Sequence, residues 1–509
     1  MKNKITLLLI IWVISLSTAV AQKIQLDSLD IFIYQLMKDF DVPGLSVGIV
    51  QNDSILYSKG FGTRQINKNL PVDENTIFGI GSISKSFTAL TLGILVDEGK
   101  LDWDDKVTSY LPYFQLYNPY VTENFTVRDL LTHRSGLKDV SGGILWYHSD
   151  YTRVDIIKRF KYLEPVSGFR EKPAYQNIMY LAAGEIVREI TGTSWDEFLK
   201  SRIFDKLEME NSTSISRIRE YNTNIAQPHI WDEHYKKVNI VQENGDNLAA
   251  AGFIYSSSHD MINYMRLLLN EGVCKNDTII NSQVLDEIFK PQIHFPFMGP
   301  PFNNEFTSYG FGWFLTPKNG HKIIEHSGGI DGMTANLVMV KDLNFGIIVL
   351  SNTNEFAPFL LTFKILNQLL NDDSYNIYTI VHEERNNIHE QEQELKKELE
   401  KSKIKDTKPS LNLDSYAGIY YDKMYGDIMI NKLTDNELEI SFSHSLIFKG
   451  KLKHWHFDTF QIDWNDIRIP DGFLTFNFNS KGEILGISID QTNLLDVDFG
   501  ELKILKKKN

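Results

Sequence analysis

The feature that most constrains the fold of this chain is a long polar stretch that divides it into two unlike parts. From His382 to Ser410 almost every residue is polar, with runs rich in glutamate and lysine. Glu392 and Lys396 stand at a favourable helical spacing, but the apolar stripe beside them is thin. We interpret residues 381–410 as a solvated helix or a flexible charged linker. The sequence therefore predicts a separate folding unit on each side of it.

The part before this linker, residues 22–380, mixes strand and helix patterns. Strand patterns cover residues 45–50, 55–60, 335–340 and 345–350, and helical patterns cover residues 82–98 and 178–190. Turn residues stand between the members of each strand pair, at Asn52-Asp53 and at Lys341-Asp342. Antiparallel hairpins near both ends, with helices between them, predict an α+β domain rather than a doubly wound one.

The part after the linker, residues 411–509, shows short runs in which apolar and polar residues alternate. The clearest are residues 416–421, 428–430, 438–442 and 474–478, with turn residues between them. This pattern predicts a small all-β domain, most simply a barrel.

The first 21 residues have the pattern of an export signal. A basic start, with lysine at positions 2 and 4, precedes an apolar run to about Ser17, and Ala19-Val20-Ala21 offers a cleavage site before Gln22. The alternative is a retained anchor, but the run is short for a membrane-spanning helix. We therefore expect a periplasmic or secreted bacterial protein with no stable membrane anchor after cleavage.

The composition excludes several classes of partner and cofactor. The formal net charge is −14, which argues against nucleic acid and gives no attraction to anionic lipid. Cys274 is the single cysteine, so no intramolecular disulfide can form. The 13 histidines show no zinc-ligand spacing. We expect no metal and no cofactor, and the sequence does not indicate an oligomeric state.

The strongest local motif is Gly81-Ser82-Ile83-Ser84-Lys85, at the predicted start of a helix. A serine hydroxyl is a weak nucleophile until a base takes its proton. Lys85 lies one helical turn after Ser82, so its amine can reach the hydroxyl, and burial would lower its pKa enough for this role. Alone the motif is weak, because Ser82 could equally be an ordinary helix cap.

Two further motifs contain residues that could act together with Ser82 and Lys85. In Tyr175-Gln176-Asn177 the phenol can move a proton, and the amide can hold both a substrate amide and a lysine. In His326-Ser327-Gly328-Gly329, which lies between strand patterns, small residues let a substrate backbone approach and the N–H groups can donate to an oxyanion. Each motif alone could be a turn or a cap.

Together the three motifs, in this order, resemble those of the serine β-lactamase and penicillin-binding-protein superfamily. The similarity is to its class C, D,D-carboxypeptidase and esterase branch, and residues 130–137 and 250–256 also match it. The later β-domain resembles the lipocalin-like domain often appended to such hydrolases. The resemblance implies an antiparallel sheet flanked by helices, a helical subdomain and a small barrel.

The resemblance also implies a role for each motif residue. Ser82 would attack the carbonyl, and Lys85 and Tyr175 would share the proton transfers. The substrate-binding residues would be Asn177, His326, Ser327, Gly328 and Gly329, with the N–H groups of positions 82 and 329 forming the oxyanion hole. His133 would be part of a structural turn rather than a catalytic base.

The sequence departs from true β-lactamases at position 326. Those enzymes hold a lysine there, whereas histidine is mostly neutral near pH 7. We therefore expect cleavage of amides or esters, of peptides containing D-residues or of related small acyl compounds. Two alternatives stay open at this point: β-lactam hydrolysis, and a non-catalytic penicillin-binding or sensor protein with the same fold.

Overall fold

The computed structural model describes residues 26–507 apart from positions 221, 243, 297–305, 373–375, 493 and 495. The predicted export signal, residues 1–21, lies outside the described residues. The α+β fold and the barrel that follows it are confirmed. No helix within the described ranges is both long enough and apolar enough to cross a membrane.

The N-terminal domain contains most of the helices. They are α1 Leu29–Asp39, α2 Ser84–Asp97, α3 Val107–Tyr110, α4 Pro119–Asn124, α5 Val127–Leu131, α6 Gly143–Trp146, α7 Arg153–Ile157, α8 Asn177–Thr191, α9 Trp195–Leu199, α10 Ala249–Gly252, α11 Ser258–Leu269, α12 Ser282–Ile288 and α13 Ala357–Leu370. Two more follow it, α14 Ile377–Ser402 and α15 Leu413–Tyr416. The predicted helices at 82–98 and 178–190 correspond to α2 and α8.

The strands fall into two groups along the chain. Those of the N-terminal domain are β1 Gly44–Gln51, β2 Ser54–Gly62, β3 Phe78–Gly79, β4 His229–Trp231, β5 Lys237–Asn239, β6 Tyr255–Ser256, β7 Val273–Cys274, β8 Asp277–Thr278, β9 Ile293–His294, β10 Ser308–Tyr309, β11 Phe314–Lys318, β12 His321–Ile330, β13 Met333–Val340 and β14 Phe345–Ser351. Those of the barrel are β15 Gly418–Asp422, β16 Gly426–Thr434, β17 Glu437–Phe442, β18 Lys449–His456, β19 Thr459–Trp464, β20 Gly472–Phe478, β21 Ile484–Asp490 and β22 Ile504–Lys506.

The central sheet of the N-terminal domain is antiparallel, in the order β2-β1-β14-β13-β12-β11-β10-β9. Both predicted hairpins, β1–β2 and β13–β14, belong to it, and the two hairpins meet where β1 pairs with β14. Asn52 and Asp53 make the first turn with positive φ, a conformation that asparagine and aspartate tolerate.

The sheet is buried on both faces, which explains its nearly continuous apolar strands. Side chains such as Val349 pack with α1 and α13 on one face, and alternate ones such as Leu350 join the core around α2 and α11 on the other. Because successive side chains point to opposite faces, β14 serves both cores. The sheet therefore supports β12 rigidly where that strand faces the start of α2.

The polar stretch forms the long helix α14, whose first turns pack on the N-terminal domain. Ile377 and Val381 are buried there, and Arg385 pairs with Glu355 at 3.5 Å. Farther along, the helix is exposed, as at Leu395. Of the two interpretations of the sequence, a solvated helix and a flexible linker, the structure shows the helix.

Strands β15 to β22 close an eight-stranded barrel. The barrel packs against the N-terminal domain near α6 and α7: Ser445 Oγ donates to Ile144 O at 2.8 Å, and His444 Nδ1 lies 2.6 Å from an Asp150 oxygen. Tyr151 stacks on the His444 ring. The barrel is therefore in direct contact with the segment that borders the site described next.

Candidate active site

Ser82 occupies a single 3-10 turn, Gly81–Ile83, immediately before α2. Glycines allow strand β12 to lie against this turn. A methyl group on Gly81, whose φ is +54°, would come within 2.3 Å of Gly329 N, and one on Gly328 would come within 1.9 Å of Ile80 O. No side chain larger than hydrogen fits at either position. This close approach brings the N–H of Gly329 to the same cleft as Ser82.

Lys85 lies behind Ser82 and is fully buried. Its Nζ is 3.1 Å from Ser82 Oγ, 2.6 Å from Asn177 Oδ1 and 2.9 Å from the carbonyl oxygen of Ala251. These partners come from the turn before α2 and from the helices α8 and α10. The structure therefore brings together the first two motifs and the segment 250–256 around one amine.

Tyr175 and Asn177 are positioned by the turn around His133. The His133 residue has a φ of +55°, and its Nδ1 accepts a hydrogen bond from Gln176 N at 3.0 Å. Its carbonyl accepts from Ala174 N at 2.7 Å. His133 thus holds the start of α8 in place, as the sequence reading suggested for a structural turn.

Burial changes the charge expected on Lys85. Transfer of an ammonium group away from water favours its neutral form, and this lowers the pKa of Lys85 to about 7, with the negative charge of Asp496 acting in the opposite direction. A substantial fraction of the amine is then neutral near pH 7. A neutral amine 3.1 Å from a serine hydroxyl can accept its proton.

Tyr175 is held in its phenol form. Burial raises the pKa of Tyr175 well above its usual value, although a hydrogen bond with Ser82 opposes the shift. Lys85 Nζ lies 4.6 Å from the centre of the Tyr175 ring. Tyr175 is therefore suited to donate and relay a proton rather than to act as a standing phenolate base.

His326 lies on β12 and is almost wholly buried. Its Nε2 is 3.1 Å from the Tyr309 hydroxyl and its Nδ1 is 2.6 Å from the carbonyl oxygen of Ser327. Burial, followed by the charge of Lys85, lowers the pKa of His326 to about 3. The imidazole is neutral at physiological pH and is absent from the cleft lining, whereas the neighbouring Ser327 is exposed.

The cleft in front of Ser82 spans about 440 Å³ of space, part of which is open to solvent. Its lining residues are Ser82, Trp146, Tyr147, Asn177, Leu248, Gly252, Phe253, Gly329, Ile330, Asp331, Leu494 and Asp496. Aromatic and aliphatic walls surround a few polar groups at the reacting end. This composition suits a small organic substrate with one orienting polar group.

Leu494 and Asp496 were missed by sequence reasoning. They belong to the connection between β21 and β22 of the barrel, far from the three motifs in sequence. A lone aspartate in a β-domain carries no local pattern that marks it as part of a catalytic cleft. Trp146 and Tyr147, at the end of α6, belong to none of the three motifs either.

A metal centre has no candidate in the described ranges. No group of three or more histidine, cysteine, aspartate or glutamate side chains among the described residues is arranged to hold an ion.

Comparison with protein families identifies the N-terminal domain. A family model described as Beta-lactamase matches residues 29–366, which is well over half of the chain. The chain belongs to this β-lactamase family. It is a family of the serine hydrolase superfamily. A second model, a domain of unknown function (DUF3471), matches residues 402–505, the barrel.

Curated relatives of this family member include hydrolases and penicillin-binding proteins. An unguisins hydrolase from Aspergillus violaceofuscus is 23% identical over 66% of this chain and 64% of its own length, so the chain spans less than two thirds of that relative. Penicillin-binding protein 4* from Bacillus subtilis is 28% identical over 61% of this chain and 68% of its own. Protein flp from Staphylococcus aureus is 24% identical over 67% and 68%.

Solved structures show the same fold at low sequence identity. The octameric penicillin-binding protein homologue from Pyrococcus abyssi aligns with a TM-score of 0.62 and 22% identity, covering 92% of this chain and 98% of that one. A penicillin-binding protein from Bacillus halodurans aligns with a TM-score of 0.56 and 20% identity, covering 66% and 98%. The first alignment is long enough to include the barrel.

Proposed function

We propose that this protein is an exported serine hydrolase that cleaves amide or ester bonds through an acyl-enzyme on Ser82. Its substrates would be peptides containing D-residues or related small acyl compounds. The observation that carries the proposal is the buried Lys85, whose Nζ lies 3.1 Å from Ser82 Oγ and whose pKa burial lowers to about 7. A buried lysine beside a serine at a helix start is a general base beside a nucleophile.

Acylation would proceed as follows. Neutral Lys85 takes the proton of the Ser82 hydroxyl as the oxygen attacks the substrate carbonyl. The N–H groups of Ser82 and Gly329 donate to the oxyanion that forms, and removal of one such donor typically costs about 10² to 10³ in rate. Tyr175 passes a proton from the lysine side to the leaving amine or alcohol, which departs neutral and leaves the acyl group on Ser82.

Deacylation would use the same groups in reverse. A water molecule gives its proton through Tyr175 to Lys85 while its oxygen attacks the ester, and Ser82 recovers a proton when the acid product leaves. Of the two acids that line the cleft, Asp331 accepts a hydrogen bond from Tyr147 and Asp496 belongs to the barrel, whereas Lys85 Nζ lies 3.1 Å from Ser82 Oγ. Tyr175 and Lys85 therefore serve both steps.

The site favours a peptidase or esterase over a β-lactamase. His326 is neutral, and none of the described residues that line the cleft is lysine, arginine or histidine. A β-lactam carries a carboxylate that a cation would normally hold by charge-assisted hydrogen bonds. This cleft offers that carboxylate no such partner at its surface.

The proposal is tested by covalent labelling with a fluorophosphonate, followed by peptide mapping of the labelled serine. We expect label on Ser82, none in Ser82→Ala, and a fall in kcat of several orders of magnitude for D-alanine p-nitroanilide and p-nitrophenyl acetate. Ser109→Ala, an exposed serine on α3, is the control and should be unchanged. Wild-type turnover in Ser82→Ala would refute the assignment, and rapid nitrocefin hydrolysis would favour a β-lactamase instead.

Export and the cleavage site belong to the same proposal. The basic and apolar pattern of residues 1–21 supports removal of this segment before Gln22. Expression of the full chain in a bacterium, cell fractionation and N-terminal sequencing test it. We expect a periplasmic or extracellular product that begins at Gln22, and a cytoplasmic product that retains Met1 would contradict it.

A further inference from the structure

The barrel contributes a carboxylate to the cleft of the N-terminal domain. Asp496 lies in the connection from β21 to β22, lines the cleft together with Ser82, hydrogen-bonds to Asn177 and interacts electrostatically with Lys85. It is the one acidic side chain of the barrel in the described lining. The carboxylate therefore stands among the groups expected to perform the reaction.

The loop that bears Asp496 is fixed on both sides. The backbone of Asp496 lies on Gly143, since a methyl group there would come within 1.9 Å of Asp496 O. Farther on, Lys138 pairs with Asp498, and a Glu501 carboxylate oxygen accepts the N–H of Gly142 at 2.9 Å. The position of the carboxylate is thus set by the docking of the barrel rather than by a free surface loop.

The second acid in the cleft, Asp331, already has partners. It accepts a hydrogen bond from the Tyr147 hydroxyl at 2.7 Å, and Arg468 of the barrel lies 3.8 Å away. Among the residues that the structure describes, the cation that acts on Asp496 is Lys85. The two carboxylates of the cleft are therefore not equivalent.

The role proposed for Lys85 leaves the negative charge of Asp496 uncompensated. Lys85 must be neutral to accept the proton of Ser82, and Asp496 then faces no compensating cation. Burial already raises the pKa of Asp496, and the hydrogen bond with the uncharged Asn177 opposes this shift without supplying a positive charge. A cation brought into the cleft by the substrate would stabilise the carboxylate and leave Lys85 free to be neutral.

We propose that Asp496 makes this cleft selective for substrates that carry an ammonium group close to the scissile carbonyl, so that the barrel determines which substrate the N-terminal domain cleaves. The inference rests on the proposed serine-hydrolase function and specifies its substrate class. The walls formed by Trp146, Tyr147 and Phe253 suit a compact apolar body next to that ammonium group. Substrates with a carboxylate at the same place would be repelled.

The test compares three p-nitroanilides that differ in one group: D-alanyl with an ammonium, propionyl with none, and succinyl with a carboxylate. In the wild type we expect kcat/KM to be about 10- to 100-fold higher for the D-alanyl than for the propionyl compound, as for a hydrogen bond to a charged group. In Asp496→Asn the two values should come within about threefold of each other. Asp496→Glu should keep part of the preference.

The matched control is Asp490→Asn, which removes an exposed carboxylate from β21 of the same barrel. It should keep the full wild-type preference. An undiminished preference in Asp496→Asn overturns the inference, and so does a wild-type ratio near one, which is decisive even if the variant fails to fold. Absence of fluorophosphonate labelling and of all hydrolysis in the wild type would refute the serine-hydrolase function itself.

A second readout separates electrostatic selection from loss of structure. The groups that face Lys85 from the elements around it are Tyr175, Tyr180, His133, His326 and Asp496. Asp496 is the acid in this set and favours the charged form of the amine. With the propionyl substrate, the acid limb of kcat/KM should therefore move to lower pH in Asp496→Asn. A limb that stays in place or moves to higher pH contradicts the coupling.

Discussion

At the scale of single residues, burial rather than residue type decides what each ionisable group can do. Lys85 and His326 are both buried, and burial lowers the pKa of each, to about 7 and about 3. The lysine thereby becomes a usable base near neutrality, while the histidine is left neutral throughout. The sequence shows that position 326 departs from the lysine of true β-lactamases, but it does not show how deeply the histidine is buried.

This contrast predicts the pH profile. The neutral amine of Lys85 is the reactive form, so kcat/KM should fall as pH decreases through about 7 and the amine gains its proton. Because the pKa of His326 is lowered to about 3, this limb should not belong to its imidazole. His326→Gln should keep the midpoint of the limb, measured with a neutral ester from pH 5 to 9. Loss of the limb in His326→Gln would assign the limb to His326 instead of Lys85.

At the scale of elements, the predictable part of the site is the part that is local in sequence. Ser82 and Lys85 are one helical turn apart, and Tyr175 and Asn177 flank the start of α8, so each spacing carries its own geometry. The contact between the Ser82 turn and β12 depends on two glycines far apart in the chain. Its existence follows from the family resemblance, but its closeness is visible only in the structure.

That contact predicts the effect of Gly328→Ala. The added methyl group would lie 1.9 Å from Ile80 O, so β12 must move away from the turn and carry the N–H of Gly329 with it. We expect a fall in kcat of about 10² to 10³, as for loss of an oxyanion donor, with the fold retained by circular dichroism. Gly99→Ala, which meets no atom within 4 Å, should affect only stability. Unchanged kcat in Gly328→Ala would place the oxyanion hole elsewhere.

At the scale of the whole molecule, the barrel is part of the cleft. The composition shift near residue 381 predicted two folding units, but it gave no sign that Gly142 and Gly143 of the first unit lie against the barrel. Contacts between distant parts of a chain leave no periodic trace in sequence.

The interface between the two domains predicts that the Glu501 carboxylate contributes to the free energy of unfolding. Its carboxylate accepts hydrogen bonds from Gly142 N at 2.9 Å and from the Tyr425 hydroxyl at 2.5 Å. Glu501→Ala leaves both donors without this acceptor, which should lower the free energy of unfolding by about 1–3 kcal/mol in urea titration. Glu437→Ala, which breaks an exposed pair with Lys451, should change it by less than about 0.5 kcal/mol. Equal effects would mean that Glu501 does not join the two domains.

The connection between β21 and β22 also bears on how such proteins diversify. Both of its ends are held by the ladder that closes the barrel, where Ile487 pairs with Ile504 and Gly486 with Leu505. Between these anchors Val497 and Phe499 are buried in the core, whereas Leu494 and Asp496 line the cleft, so Leu494 and Asp496 can be exchanged while the core contacts are kept. A lineage can therefore keep one reaction centre unchanged and change its substrate preference by substitutions in a single connection of an attached barrel.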